Sequence, residues 1–583
     1  MSFQYQELAT NESLRLLRVD RLDKSKGTLM CTLLHIDRHD PPPGVSWIAL
    51  SYRWGDEKDL VTLRLREVSD VASGIPPSAL EDDYSSTQAP RSALDMTLSL
   101  YHSGHISDRW IWIDYICLNQ QDQTEKGIQV GLMGSVYSLS AQTIVYTGPA
   151  SYSTSTAMDF LKGLKAVFEG SPRGDRNVEW KPEMGRLARP PDASMVREAV
   201  LPHDVLFVWG QHSLPWAEME ALANWDTRSN LFALLGNATG TWTAISTLKK
   251  IMLLRQNRQG SARGYRCGLS FALYTCDAAT SFDPRDRIFG LLGLLYGPEA
   301  AIDIKPDYSS KTTPAAVFTR ATRKYTVQND SFELVYSAGI GLLRDIEGLP
   351  SWVPDYTKSL RQFPGGHLCA GKGDLRSLDL EPLQFQASEF KVQAYLVDTI
   401  SHVLPYKTLR RPSEYTSMED DSQVAWYLEH AIRHVSQAYP VPWSEDLPAC
   451  FVRTLTSNSV VLSGVDGGTP SPPAFDRAFA QLGIARKLGI LGSATPRPNQ
   501  VATAKERQSF LTTVAGYMED NTICTIPRGR MALVPRHAEP GDVVAVCPGA
   551  RLPFILRPSR REAAGCQRFQ MVGTDTERLF WNS

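Results

Sequence analysis

Residues Arg109 to Gly148, RWIWIDYICLNQQDQTEKGIQVGLMGSVYSLSAQTIVYTG, constrain the fold more than any other stretch. Ile111, Trp112 and Ile113 are apolar β-formers followed by the polar Asp114, Asn119 and Gln120, which predicts a buried strand from Ile111 to Asp114 ending in a polar loop. Asp122 then reads as a helix cap, with Glu125 placed to reach back to the cap residue's own N–H. Ile128, Leu132, Met133, Val136 and Leu139 recur at helical spacing, predicting a buried face opposite Lys126, Gln129 and Ser135. Thr143 to Tyr146 is β-branched and aromatic and stops at Gly148-Pro149. A second strand is predicted upstream at Trp47 to Tyr52, ahead of Arg53-Trp54-Gly55-Asp56. Right-handed helical crossovers make such strands parallel and bring Asp56 and Asp114 to one rim, where open α/β sheets hold ligands. Arg53 and Asp56 suit phosphate or ribose there, or pair with each other on the surface.

The remaining chain is too long for a single core. Its 583 residues predict two to four domains, and 42% hydrophobic residues with 13 tryptophans suffice to pack them. An α/β part is expected over residues 1–235, a mostly helical segment over 236–380, and a β-rich part over 381–583. Loops are predicted at Ser73 to Ser92, Gly170 to Ser194, Gly464 to Pro473 and Gly492 to Gln500, and Arg255 to Arg266 reads as a basic polar stretch between domains. In the last part, the Gly541-Asp542 turn signal precedes Val543 to Val546, with Phe554 to Leu556 as a partner strand.

A net charge of −2 gives no footprint for nucleic acid. Nine scattered cysteines without a C-x-x-C pair suit reduced thiols. No signal peptide and no run of 18 or more apolar residues is present, so the expectation is a soluble, cytoplasmic protein without a membrane partner. His203 and His212 lack partners at a zinc spacing, so no metal site is expected. Asp283-Pro284-Arg285-Asp286 reads as a helix start with proline at N1. Trp209, Trp216 and Trp352 read as packing anchors, and no serine-hydrolase, Walker or Rossmann signature occurs.

The blocks ALSYRWGD, WIWIDYICLNQQDQTEKGIQVGLMGSVYS and IVYTG closely resemble the fungal heterokaryon-incompatibility (HET) domain. Further marks of such proteins recur at Asp283-Pro-Arg-Asp-Arg-Ile-Phe-Gly-Leu-Leu-Gly, Pro306-Asp-Tyr-Ser, Leu349-Pro-Ser-Trp-Val-Pro-Asp-Tyr and Pro553-Phe-Ile-Leu-Arg. The resemblance implies a TIR/flavodoxin-like parallel sheet in the N-terminal domain and a role in nonself recognition and programmed cell death. It also implies a nucleotide ligand, with NAD as ligand or substrate, and self-association through the HET domain. Asp114 and Glu198 are then the candidate catalytic carboxylates, and Tyr52, Arg53, Asp56, Asn119 and Glu125 the candidate ligand-binding residues.

HET domains usually carry an Arg-Pro-Trp-Phe-Ser-Arg-x-Trp-x-x-Gln-Glu block. The matching stretch here, Arg189 to Glu198, is two residues short and lacks both tryptophans but keeps Glu198. Two alternatives to a signalling effector stay open: an NAD-cleaving hydrolase using Glu198, and a HET-like protein recruited to natural-product biosynthesis as enzyme or accessory factor. Because the shell around Glu198 differs, slow or absent NAD hydrolysis is expected.

Overall fold

All six side chains of Trp47–Tyr52 are buried, the pattern of a strand covered on both faces. A computed structural model places it as β3 of a nine-stranded sheet. The residues described are 2–23, 28–52, 55–56, 58–68, 84–149, 198–221, 249–256, 258, 267–277, 281–296, 302–340, 342, 344–360, 384–386, 389–405, 421–439, 441, 443–444, 447–456, 472–482, 487–489, 502–518, 521–527, 530–559 and 569–574. The chain divides into two compact units, Met1–Val317 and Phe318–Ser583.

In the first unit the strands are β1 (Ser13–Asp23), β2 (Thr28–Asp37), β3, β4 (Leu60–Val68), β5 (Ser85–Pro90), β6 (Trp110–Trp112), β7 (Gln142–Tyr146), β8 (Val205–Trp209) and β9 (His212–Pro215), in the order β5-β4-β2-β1-β6-β3-β7-β8-β9. The three predicted strands pair in parallel, Ala49 lying beside Trp112 on one side and Thr143 on the other. β8 extends this parallel group. The rest of the sheet is mixed, because β1 joins β6 antiparallel and forms an antiparallel pair with β2. Strand β5 occupies the end of the predicted Ser73 to Ser92 loop; the loop's other predicted residues up to 83, and the Gly170 to Ser194 loop, lie outside the described residues.

Helix α1 (Arg91–His102) precedes β6, and a short helical turn α2 (Asp114–Cys117) follows it, so the strand stops two residues before Asp114. Helix α3 (Gln123–Leu139) is capped as predicted, Asp122 accepting from the amides of Thr124 and Glu125. Its buried face differs from the prediction. Gln129, Met133, Val136 and Tyr137 are buried, whereas Leu139 is exposed. Gln129 goes inward because its Nε2 donates to the Ser13 carbonyl at 2.8 Å, which compensates an otherwise costly amide burial. The opposite face approaches its neighbours closely: a Cβ on Gly134 would stand 3.3 Å from Gly293 Cα and 3.5 Å from Leu201 Cδ1.

Among the described residues of the middle of the chain, helices α4 (Leu269–Thr275), α5 (Asp286–Leu292) and α6 (Pro314–Asn329) follow a helical stretch at 249–256. The second unit carries β10 (Gln384–Gln386), β11 (Glu389–Lys391), β12 (Tyr395–Thr399), β13 (His402–Val403), β14 (Asn521–Ile526), β15 (Arg530–Pro535), β16 (Val543–Val546), β17 (Phe554–Pro558) and β18 (Phe569–Thr574). As expected, β16 pairs with Phe554 to Leu556, and it also pairs with β12. Gly541 ahead of it takes φ +98, open to glycine at little cost, and Asp542 Oδ1 accepts from Arg557 Nε at 2.8 Å.

Among the described residues, four helices interleave with these strands: α7 (Asp421–Ala438), α8 (Leu447–Leu455), α9 (Pro472–Gln481) and α10 (Ala504–Met518). They enclose an apolar core around Phe451, Phe479 and Phe510. The predicted Gly464 to Pro473 loop therefore runs into a helix at its end, and Gly492 to Gln500 lies outside the described residues.

Candidate functional site

Strands β3, β6, β7 and β8 are parallel, so their C-terminal ends share the rim at which α/β sheets bind ligands. β3 ends there at Tyr52, and Asp114 follows β6. Tyr52 is 8% exposed, and its hydroxyl is buried without a partner in closed hydrogen-bond geometry. Burial raises its pKa well above the ordinary phenol range, reinforced by the charge and acceptor oxygen of Asp114 and then by Tyr115 and Glu198. Glu198, in the crossover from β7 to β8, is itself only 4% exposed. Both candidate carboxylates thus act on the Tyr52 hydroxyl, Asp114 strongly and Glu198 weakly. Two acceptors flanking a donor suit a ligand with neighbouring hydroxyl groups.

The turn carrying Asp114 is held from several sides. Its Oδ1 accepts from the Tyr115 amide at 2.7 Å, and its carbonyl accepts from Gln120 Nε2 at 3.0 Å. Tyr5 donates to the Ile116 carbonyl at 2.9 Å, and Arg15 Nη1 to the Cys117 carbonyl at 3.3 Å. Arg15, whose side chain is fully buried, also pairs with Glu125 at 2.6 Å and Glu67 at 2.9 Å. Glu125 Oε1 takes the Asn119 amide at 2.8 Å. The predicted reciprocal capping bond from Glu125 to Asp122 is replaced by this arrangement, since a buried guanidinium competes better for the carboxylate than a neutral amide does.

Asn119 and Glu125 therefore brace the loop beneath the site. Asp56 lies past the end of β3 on the Asp114 rim, where its Oδ1 accepts from the Lys58 amide at 2.9 Å. Beside it, Gly55 donates to Ser92 Oγ at 3.0 Å, and a Cβ at that glycine would stand 3.0 Å from Ser92 Cβ. Arg53 and the stretch Arg189 to Arg197 lie outside the described residues. Burial pushes the Cys117 thiol up to about 12, so it is neutral at pH 7 and no nucleophile. No cluster that could hold a metal occurs among the described residues, and the seven cysteines among them form no disulfide.

Two sequence marks that lie apart in the chain meet. Arg285 stacks on Tyr308, pairs with Asp283 at 2.7 Å and donates to the carbonyls of Ser309 and Thr312 at 3.1 and 3.0 Å. Tyr308 donates to Asp286 and faces Lys126 of α3. Arg285, rather than Pro284, immediately precedes helix α5, so the predicted helix start shifts by two residues. Hydrogen bonds from Thr312 and then from Ser309 hold the Asp307 carboxyl down at about 2. Its folded pKa lies below its unfolded value, so its contribution is full above about pH 4 and is lost as pH falls towards 2. Asp307→Asn is expected to flatten acid unfolding of this contact across that window, as measured by hydrogen exchange at 306–312; an unchanged pH profile would contradict the assignment.

Missed from the sequence were Arg15, Tyr5 and Arg255. Arg15 stands among leucines in Leu14-Arg15-Leu16-Leu17, a charge in an apolar run that signals a buried partner. Arg255, assigned above to a polar stretch, is 3% exposed and stacks on Trp216. Trp216 and Trp209 both stack on Phe207, in keeping with packing roles.

This is a mixed α/β domain with a carboxylate-lined rim. Residues 47–200 match the family model described as Heterokaryon incompatibility protein (HET). The chain is 27% identical over 405 residues to heterokaryon incompatibility protein 6, OR allele, of Neurospora crassa, aligning 59% of this chain and 58% of that protein. It thus spans about three fifths of that curated relative's length. No solved structure matches. Over residues 47–200 the chain is therefore similar to HET domains, and over a longer stretch to that incompatibility protein. Tyr52, Asp114 and Glu198 all fall within the matched segment. No helix among the described residues is long and apolar enough to cross a membrane.

Proposed function

We propose that this chain is a heterokaryon-incompatibility effector of a cell-death response, and that its rim site binds a ribonucleotide, NAD first among candidates. The observation that carries the ligand reading is the buried Tyr52 hydroxyl at the strand end, under the influence of the Asp114 carboxylate and, more weakly, of Glu198, inside the matched segment. Carboxylates accept hydrogen bonds from the vicinal hydroxyls of ribose, as the acidic residue of dinucleotide folds does, and the neutral phenol donates alongside them. The incompatibility role is supported by the HET match and the Neurospora relative.

The site binds rather than turns over quickly. Cleavage of the nicotinamide bond needs a carboxylate fixed against developing oxocarbenium charge, and a misplacement of about 1 Å can cost on the order of a hundredfold in rate. The chain ahead of Glu198 is short by two residues and lacks the tryptophans that usually fix it. Purified, concentrated protein is expected to release little nicotinamide from NAD; rapid release abolished by Glu198→Ala would make it a hydrolase. Expression in a filamentous fungus should arrest growth, and Asp114→Asn should relieve the arrest at equal protein level. Normal growth with the unaltered chain would contradict the effector role.

A further inference from the structure

Glu198 sits on a short helical turn, 198–200, whose only described continuation is the loop into β8. That loop is gripped by one side chain. Arg255 Nη1 donates to the carbonyls of Ala199 and Pro202 at 2.8 and 2.7 Å, and Nη2 donates to the His203 carbonyl at 2.8 Å. The guanidinium stacks on Trp216 at 4.8 Å, and Trp216 Nε1 in turn donates to Glu220 at 3.1 Å. Burial lowers the Arg255 pKa, opposed by the charges of Glu220 and Asp204. A planar fork satisfying three carbonyls fixes both the position and the direction of the strand it holds, which a lysine cannot do.

We infer that Arg255 is a positioning residue for Glu198: it fixes the 199–203 backbone that carries the buried carboxylate at the rim. Arg255 lies 55 residues beyond the end of the HET match at residue 200, so the matched segment does not by itself complete its own site. Arg15, 32 residues before that match begins at residue 47, does the same for the Asp114 turn from the other side. The two carboxylates are held by buried arginines contributed from either flank.

Arg255 supports Glu198 through three hydrogen bonds to backbone, two of them buried, and a group that acts only through another loses its effect when that other is removed. The inference rests in part on the ribonucleotide reading, and the test separates the two with full-length protein in two arms. In the first, NAD affinity is measured for the unaltered chain, Arg255→Met, Arg255→Lys, Glu198→Gln and Arg255→Met/Glu198→Gln. Arg255→Met should weaken NAD binding about tenfold or more, Arg255→Lys should rescue little of it, and in the Glu198→Gln background Arg255→Met should cost no further affinity. Equal losses in both backgrounds would overturn the inference and leave Arg255 a general structural residue.

The second arm needs no ligand. Hydrogen exchange at amides 198–204 should rise in Arg255→Met while β3 and β7 stay protected; unchanged exchange at 198–204 would also overturn the inference. If Glu198→Gln leaves NAD binding unaltered, the ribonucleotide reading falls and the exchange result alone decides on Arg255.

Discussion

Arg15→Met is expected to destabilise the first unit by about 3–5 kcal/mol, the cost of removing one partner from a buried ion pair. The Arg15 side chain is fully buried, and its two carboxylate partners, Glu67 and Glu125, have side-chain exposures of 3% and 11%. Methionine fills much of the volume but leaves Glu125 without its buried cation and Glu67 with only His35 and the Gln6 amide. It also releases the carbonyls of Gln6 and Cys117 from the guanidinium. Adding Glu67→Gln and Glu125→Gln to Arg15→Met should recover part of the loss, because neutral amides are cheaper to bury than unpaired carboxylates. Chemical denaturation of the single and triple variants checks this; a single variant within about 0.5 kcal/mol of the unaltered protein would remove Arg15 as the brace of the Asp114 turn.

Trp112→Ala is expected to cost about as much, in the range of roughly 3–5 kcal/mol for a large aromatic truncated in a core. Trp112 is fully buried, lies beside Ala49 in the parallel register, and meets the Tyr137 ring edge-on at 5.6 Å. Its loss would open a cavity between the central strand and α3. Trp112→Phe separates packing from polarity. The indole N–H has no hydrogen-bond partner, so phenylalanine removes an unsatisfied donor together with part of the ring, and the two effects oppose. The phenylalanine variant should therefore sit much closer to the unaltered protein than to the alanine variant. Equal losses for both would contradict this, since the two variants differ only in the retained ring.

The central strand–helix–strand unit was legible because each of its elements obeys its own period: a continuous apolar run in β3, fully buried residues in β7, and a capped amphipathic helix between β6 and β7. Rim placement of Tyr52, Asp56 and Asp114 followed from parallel pairing alone. What stayed hidden depends on partners far along the chain. Glu125 looked like half of a capping box, but its partner Arg15 is 110 residues away. Gln129 looked like a surface residue until the Ser13 carbonyl, 116 residues away, supplied its hydrogen bond.

Strands β1 and β2 were not anticipated, because Arg15, Arg18 and Asp20 interrupt the apolar run of β1 with charges that prove to be paired. Helix α7 was legible in principle. Val424, Tyr427, Leu428, Ala431, Ile432 and Val435 fall at helical spacing and are all buried, although the β-branched runs near Val543 carry the stronger local signal in this part of the chain. Glu198 was singled out only by resemblance, since nothing local in Arg197-Glu198-Ala199 marks a carboxylate that proves to be buried.

The central claim is that Tyr52, Asp114 and Glu198 form one ribonucleotide site on the parallel-strand rim. Calorimetric titration of the full chain with NAD at pH 7, alongside Asp114→Asn and Glu198→Gln, tests it most directly. A hydrogen bond from ligand to a charged acceptor contributes about 1.5–3 kcal/mol, so each substitution is expected to weaken binding by roughly 10- to 150-fold without lowering thermal stability. Absence of binding to the unaltered chain, or equal affinity in all three proteins, would contradict the account.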